Sequence, residues 1–171
     1  KSALLPCSKG SWKRKYNYQN KIVDEQRNEY ASNESYLADV IDEAYAQMKM
    51  AGMTDIPLFV TEWSSTLSNR NCLNDSCYKS AYMVKNMIEN YGKVPVLGYW
   101  VATDIFSEGI DLNTFLSGGC GLITQNDICK PAYFAMEFMN HLEPYIIGKN
   151  ENAIVSSRKD GVFFICCHNY K

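Results

Sequence analysis

Three acidic residues follow short apolar runs. Glu62 comes directly after Pro57-Leu58-Phe59-Val60-Thr61 and beside Trp63, while Asp104 and Glu108 come after Val94 to Val101, a run that contains Trp100. A run of apolar and β-branched residues that stops at a polar cluster (Ser64, Ser65, Thr66, Ser68, Asn69) has the composition of a strand buried on both faces. Glu62 is therefore expected at a strand's C-terminal end. In α/β proteins the loops at that end surround a crevice while the strands behind stay rigid, so a carboxylate held there can serve as acid, base or nucleophile. The alternative is a solvated strand end carrying a surface glutamate.

Other chemistries find less support. Seven cysteines (Cys7, Cys72, Cys77, Cys120, Cys129, Cys166, Cys167) show irregular spacing with no CxxC pair, and only His141 and His168 accompany them. A tetrahedral zinc site needs clustered ligands that these spacings do not present, so neither a metal nor another cofactor is expected. Small buried thiols in a reducing compartment are the reading preferred to a disulfide framework, and the adjacent Cys166 and Cys167 would point to opposite faces of a strand. With 17 basic and 19 acidic residues the formal charge is -2, and the only local basic cluster is Lys9, Lys13, Arg14 and Lys15. It reads as a solvated loop, so no nucleic-acid contact is expected. No apolar run approaches the roughly 18 to 20 residues that cross a bilayer. A cytoplasmic chain without membrane contact is the expectation.

The elements that would position these carboxylates alternate. The first 30 or so residues, polar and rich in lysine and tyrosine, show no sustained period and read as loop with one short helix. Tyr36, Leu37, Val40, Ile41, Ala44, Tyr45 and Met48 then recur at helical spacing between a candidate cap, Asn33, and a stop, Gly52. After the first strand, Asp75 is placed to cap a helix with the stripe Cys77, Ala81, Val84, Ile88 and Tyr91, closed by Gly92. The Val94 strand and the turn Ser117-Gly118-Gly119-Cys120-Gly121 follow. Lys130-Pro131 then opens a third helix with the apolar face Tyr133, Phe134, Met136, Phe138, Met139 and Leu142. Strict alternation of helix and strand implies parallel strands joined by crossovers. Beyond residue 150 the pattern changes, because Ala153 to Ser157 and Val162 to His168 flank Asp160-Gly161, a hairpin signal.

Four of these segments also resemble a known family in order and spacing. They are Pro57 to Trp63, Gly98-Tyr99-Trp100-Val101-Ala102-Thr103-Asp104-Ile105-Phe106, Gly118 to Leu122, and Lys130-Pro131-Ala132-Tyr133. Together they resemble the last strands and helices of family 39 glycoside hydrolases of the β-xylosidase type, over roughly residues 36 to 171. The resemblance implies an α/β chain that is the C-terminal portion of a (β/α)8 TIM barrel, strands seven and eight with their helices, followed by the start of an antiparallel β-sandwich. Residues 1 to 148 would form the barrel units and 149 to 171 the accessory domain.

It also implies retaining hydrolysis by two carboxyl groups. Glu62 matches the nucleophile, Trp100 an aromatic wall of the sugar subsite, and Glu108 a carboxylate that hydrogen-bonds sugar hydroxyls. Trp63, Asp104 and Ser107 complete the expected substrate-binding set. The chain departs from the family pattern at Ser107, where an acidic residue is usual, and at Ser117, where a histidine is usual. The family's acid/base glutamate follows an asparagine on an earlier strand, and no Asn-Glu-Pro occurs here. These 171 residues alone are thus expected to be inactive.

Ser68-Asn69-Arg70-Asn71, Asn74-Asp75-Ser76-Cys77 and the ending Ile165 to Lys171 further resemble family-39-like domains of AraC-type transcription regulators. That resemblance implies a sugar-sensing domain, with a β-xylosidase fragment as the alternative. Either way the expected ligand is a pentose or a xylo-oligosaccharide. A piece of a barrel leaves an open sheet edge, so the chain is also expected to need the rest of its parent or a second copy.

Overall fold

The structure, a computed structural model, describes residues 11–15, 23–27, 34–65, 71–105 and 114–170. It opens with an antiparallel pair, β1 (Ser11–Lys15) and β2 (Val23–Arg27), whose register sets Lys13 opposite Glu25 and Arg14 opposite Asp24. This corrects the expectation of loop and a short helix. Strands made almost wholly of polar and charged residues carry no apolar alternation, which is the signal a strand is read from.

Helix α1 (Tyr36–Met50) begins after Ser35, and Gly52 follows its end with φ of 76°. The expected cap Asn33 lies outside the described residues. Its packed face is narrower than the spacing suggested, because Ala38 and Ile41 are buried while Val40 is exposed. Strand β3 (Phe59–Trp63) follows, then a 3-10 turn (Cys72–Asp75) and helix α2 (Cys77–Asn90). Asp75 does not cap α2. Ser76 occupies that position, and the Asn71 side chain caps the 3-10 turn by accepting from the Leu73 N–H at 3.0 Å.

Strand β4 (Val96–Tyr99) pairs with β3 in parallel, as helix–strand alternation predicts, and helix α3 (Pro131–Asn140) follows. The chain ends in a three-stranded antiparallel sheet, β5 (Tyr145–Lys149), β6 (Ala153–Ser157) and β7 (Phe163–Cys167), ordered as in the sequence. Gly161, in the β6–β7 turn, has φ of 87°. In β7, Cys166 is buried and Cys167 exposed, as strand alternation requires.

Two faces differ from expectation. Strand β3 is not buried on both sides: Phe59 is 52% exposed, because β4 is its only partner among the described residues. Helix α3 packs through Ala132 and Ala135, leaving Phe134 and Phe138 outside. Small side chains let α3 lie close against α2.

The core centres on α2, which buries residues around most of its circumference. Tyr82, Met83, Val84 and Ile88 meet Trp63 from β3, Ala132 and Ala135 from α3, and Ile154, Cys166 and Tyr170 from the terminal sheet. Tyr78 donates its hydroxyl to that of Tyr170 at 3.0 Å, and the rings of Tyr78 and Tyr82 lie 5.0 and 5.6 Å from the Tyr170 ring. From β5, the Lys149 ammonium donates to the carbonyls of Ile88 and Tyr91 at 2.9 and 3.0 Å, closing the C-terminal end of α2, where cations are favoured. No helix among the described residues is long and apolar enough to cross a membrane.

Candidate active site

Parallel pairing of β3 with β4 brings their C-terminal ends to one edge. The register runs Phe59↔Val96 and Val60↔Leu97 and resumes at Trp63↔Tyr99, so Thr61 and Glu62 together oppose Gly98 alone. Such a bulge re-aims side chains locally, and bulges are common beside active sites. The chains approach so closely here that a Cβ on Gly98 would stand 2.6 Å from the Thr61 carbonyl oxygen.

Glu62 and Trp63 consequently part ways. Glu62 is exposed. Trp63 is 6% exposed, with its ring 6.1 Å from that of Tyr82 and 5.7 Å, edge-on, from that of Tyr99. The indole expected at a substrate is thus engaged in the core, where it anchors the strand end that carries Glu62. Across the edge, the Trp100 N–H donates to the Trp63 carbonyl at 2.9 Å. Trp100 is half-buried, and its peptide bond to Val101 is cis. Glu62 and Trp100 therefore share the same edge. Ser107 and Glu108 lie outside the described residues.

Asp104, also expected at the substrate, is buried. Its Oδ2 lies 2.5 Å from the Lys130 Nζ, and its Oδ1 accepts from the Gly121 N–H at 2.7 Å. Lys130 is fully buried, pairs with Asp75 Oδ1 at 2.8 Å and donates to the Gly119 carbonyl at 3.0 Å. Asp75 in turn accepts from the Gly118 N–H at 2.6 Å through Oδ2. One ammonium and two carboxylates thus pin the glycine-rich turn to the chain leaving β4. Opposite charges buried together can persist where a lone charge could not. The glycines are required by this contact, since a Cβ on Gly119 or Gly121 would collide with Asp104.

A second buried lysine reaches the two residues that follow Trp63. Lys79, in the first turn of α2, is 0% exposed and donates to Ser64 Oγ at 2.9 Å and Ser65 Oγ at 2.5 Å. Its ammonium stands 5.2 Å from the centre of the Tyr99 ring. Burial pushes its pKa down to about 7; Cys120 opposes the shift and Lys130 adds to it. Burial also raises the Tyr99 phenol and the Cys120 thiol, and the Tyr99 hydroxyl donates to the Cys120 carbonyl at 2.8 Å.

The sequence marks Lys130 only as the start of a helix and Asp75 only as a candidate cap, and it does not single out Lys79. The available signal lay on α2, where Lys79, Asn86 and Asn90 interleave with Tyr82 and Met83 on a face that is buried throughout. Polar residues interrupting a packed stripe require partners, and partners imply a network.

Glu62 thus stands exposed on a bulge at the C-terminal edge of two parallel strands, on the edge that also carries Trp100, in a chain of α/β class. Residues 7–166 match the model of Glycosyl hydrolases family 39, and the chain belongs to that family. It is 29% identical over 116 residues to a beta-xylosidase of Geobacillus stearothermophilus, covering 68% of this chain and 23% of that protein. It is 33% identical over 88 residues to a beta-xylosidase of Caldicellulosiruptor saccharolyticus, covering 51% and 18%. The crystal structure of a monomeric beta-xylosidase from Caulobacter crescentus CB15 superposes with a TM-score of 0.71 at 22% identity, over 88% of this chain and 30% of that one. The fold is accordingly part of a TIM-barrel-containing α/β architecture, and the chain spans under a quarter of the length of the curated relatives it matches.

Proposed function

We propose that this chain supplies the nucleophile side of a retaining glycoside hydrolase acting on xylosides. The position of Glu62, exposed on the bulge at the same edge as Trp100, carries the reading. Glu62 would attack the anomeric carbon as the glycosidic bond breaks, a carboxylic acid would protonate the departing oxygen, and water would then hydrolyse the glycosyl ester with that acid now acting as base. Trp100 would lie against the C–H face of the sugar ring, with Ser107 and Glu108 binding its hydroxyls. Trp63 and Asp104 would support the site from behind. The acid/base carboxyl, lacking a motif here, would come from another part of the polypeptide, about 5 to 5.5 Å from Glu62.

Both curated relatives named above are beta-xylosidases, which favours this reading over a sugar-sensing domain of an AraC-type regulator. The terminal sheet would begin the family's β-sandwich, with residues 149 to 171 as the accessory part. The same reading places the protein in the cytoplasm. The intact polypeptide containing these residues provides the test. A 2-deoxy-2-fluoroxyloside with a good leaving group should label the peptide that carries Glu62, and Glu62→Gln should abolish labelling and turnover. Labelling of another carboxylate, or activity that survives Glu62→Gln, would overturn the assignment.

A further inference from the structure

Several contacts hold the strand end that carries Glu62, three of them through side chains or a close backbone approach. Two are the bulge at Gly98 and the Trp63 ring in the core. The third comes from Lys79, whose ammonium reaches from α2 to the hydroxyls of Ser64 and Ser65, the residues that follow Trp63. We propose that Lys79 is a positioning residue for Glu62, fixing the Ser64–Ser65 turn and with it the direction in which the chain leaves β3; this role presupposes the glycosidase reading above.

A fully buried ammonium is costly unless a carboxylate answers it. Among the described residues the carboxylates nearby are otherwise engaged, since Asp75 and Asp104 both pair with Lys130. Lys79 has two hydroxyl oxygens and the face of Tyr99 instead. Among the described residues the titratable groups facing it are Tyr99 from β4, Cys120 from the glycine turn and Lys130 ahead of α3, and none of them is a carboxylate. A methionine would fill the same space without that cost. A buried lysine answered by two hydroxyls and a ring costs the fold desolvation, and such costs are met at functional sites, where activity and stability trade against each other.

This predicts a pairing of effects that a purely structural lysine would not produce. In the intact polypeptide, Lys79→Met at pH 6 should raise the melting temperature while lowering kcat by about tenfold or more, with KM within about threefold, as expected for a misaligned nucleophile. Lys79→Gln keeps a donor for the two hydroxyls and should recover part of kcat. Unchanged kcat in Lys79→Met, or loss of melting temperature and kcat together, would overturn the proposal. A wild-type protein without xyloside turnover would instead defeat the glycosidase reading. Positioning is then read from selectively labelled protein, where the amide resonances of Glu62, Ser64 and Ser65 should follow a titration near pH 7 that is absent in Lys79→Met. Resonances that ignore Lys79 would overturn the role.

Discussion

Gly98 packs against the carbonyl of Thr61 so tightly that a Cβ would come within 2.6 Å of that oxygen, and the bulge carrying Glu62 depends on this approach. Gly98→Ala must push Thr61 away or straighten the bulge. Because reacting atoms displaced by about 1 Å can lose about 10²-fold in rate, a loss of that order in kcat is expected for the intact enzyme. A destabilisation of about 1–3 kcal/mol should accompany it, as in other overpacked sites. Steady-state kinetics and urea denaturation check the two effects separately.

Lys130 sits between Asp75 and Asp104, so the two ways of breaking the cluster are unequal. Lys130→Met leaves two carboxylates buried together without a cation and should cost about 3–5 kcal/mol. Asp104→Asn leaves Lys130 paired with Asp75 and should cost less. Urea midpoints of the two variants give the ranking, and equal losses would contradict the shared-cation geometry.

Stability should vary with pH in two opposed stages. Between about pH 7 and 9 the unfolded chain holds a proton on Lys79 that the folded chain has released, so stability rises with pH, and above about pH 9 the raised Cys120 and Cys166 thiols begin to oppose it. Above about pH 10 the buried phenols act in the other direction. Tyr82 is pushed up to about 12, and Tyr99 and Tyr170 are also raised by burial, so the folded chain keeps protons that the unfolded chain loses, and stability falls. Lys79→Met should flatten the rising limb and leave the falling one, as followed by denaturant midpoints from pH 6 to 11.

Lys149 closes the end of α2 from an exposed position, which limits its contribution. Lys149→Met should cost about 1 kcal/mol and increase amide hydrogen exchange in the last turn of α2, at Ile88 to Asn90. An unchanged exchange rate there would count against the capping role.

Phe59 on β3 and Val96 on β4 face each other in register and are both exposed, at 52% and 44%. A paired apolar patch of this kind at the edge of a two-stranded sheet favours association. The 171-residue chain alone should sediment as larger species with rising concentration. A concentration-independent monomer would show that these side chains are tolerated in water.

Unlike β5 (Tyr145–Lys149), the alternation of helix and strand from α1 to α3, the strands β6 and β7, the parallel sense of β3 and β4, and the candidacy of Glu62 and Trp100 could be read from the sequence. Each depends on local signals, namely apolar periodicity, glycine and proline stops, and a linear motif at a strand end. The hairpin of β1 and β2 was hidden because its residues, such as Lys13 and Arg14, lack apolar alternation. Tertiary structure alone decided that Glu62 is exposed while Trp63 is buried, since the bulge depends on Gly98, a residue of another strand. It likewise decided that Asp75, Asp104 and Lys130 form a buried cluster and that Lys79 reaches Ser64 and Ser65. A charged side chain is solvated by default. It becomes buried only when partners far away in the sequence offset the loss of water, and nothing in the neighbouring residues records where those partners are.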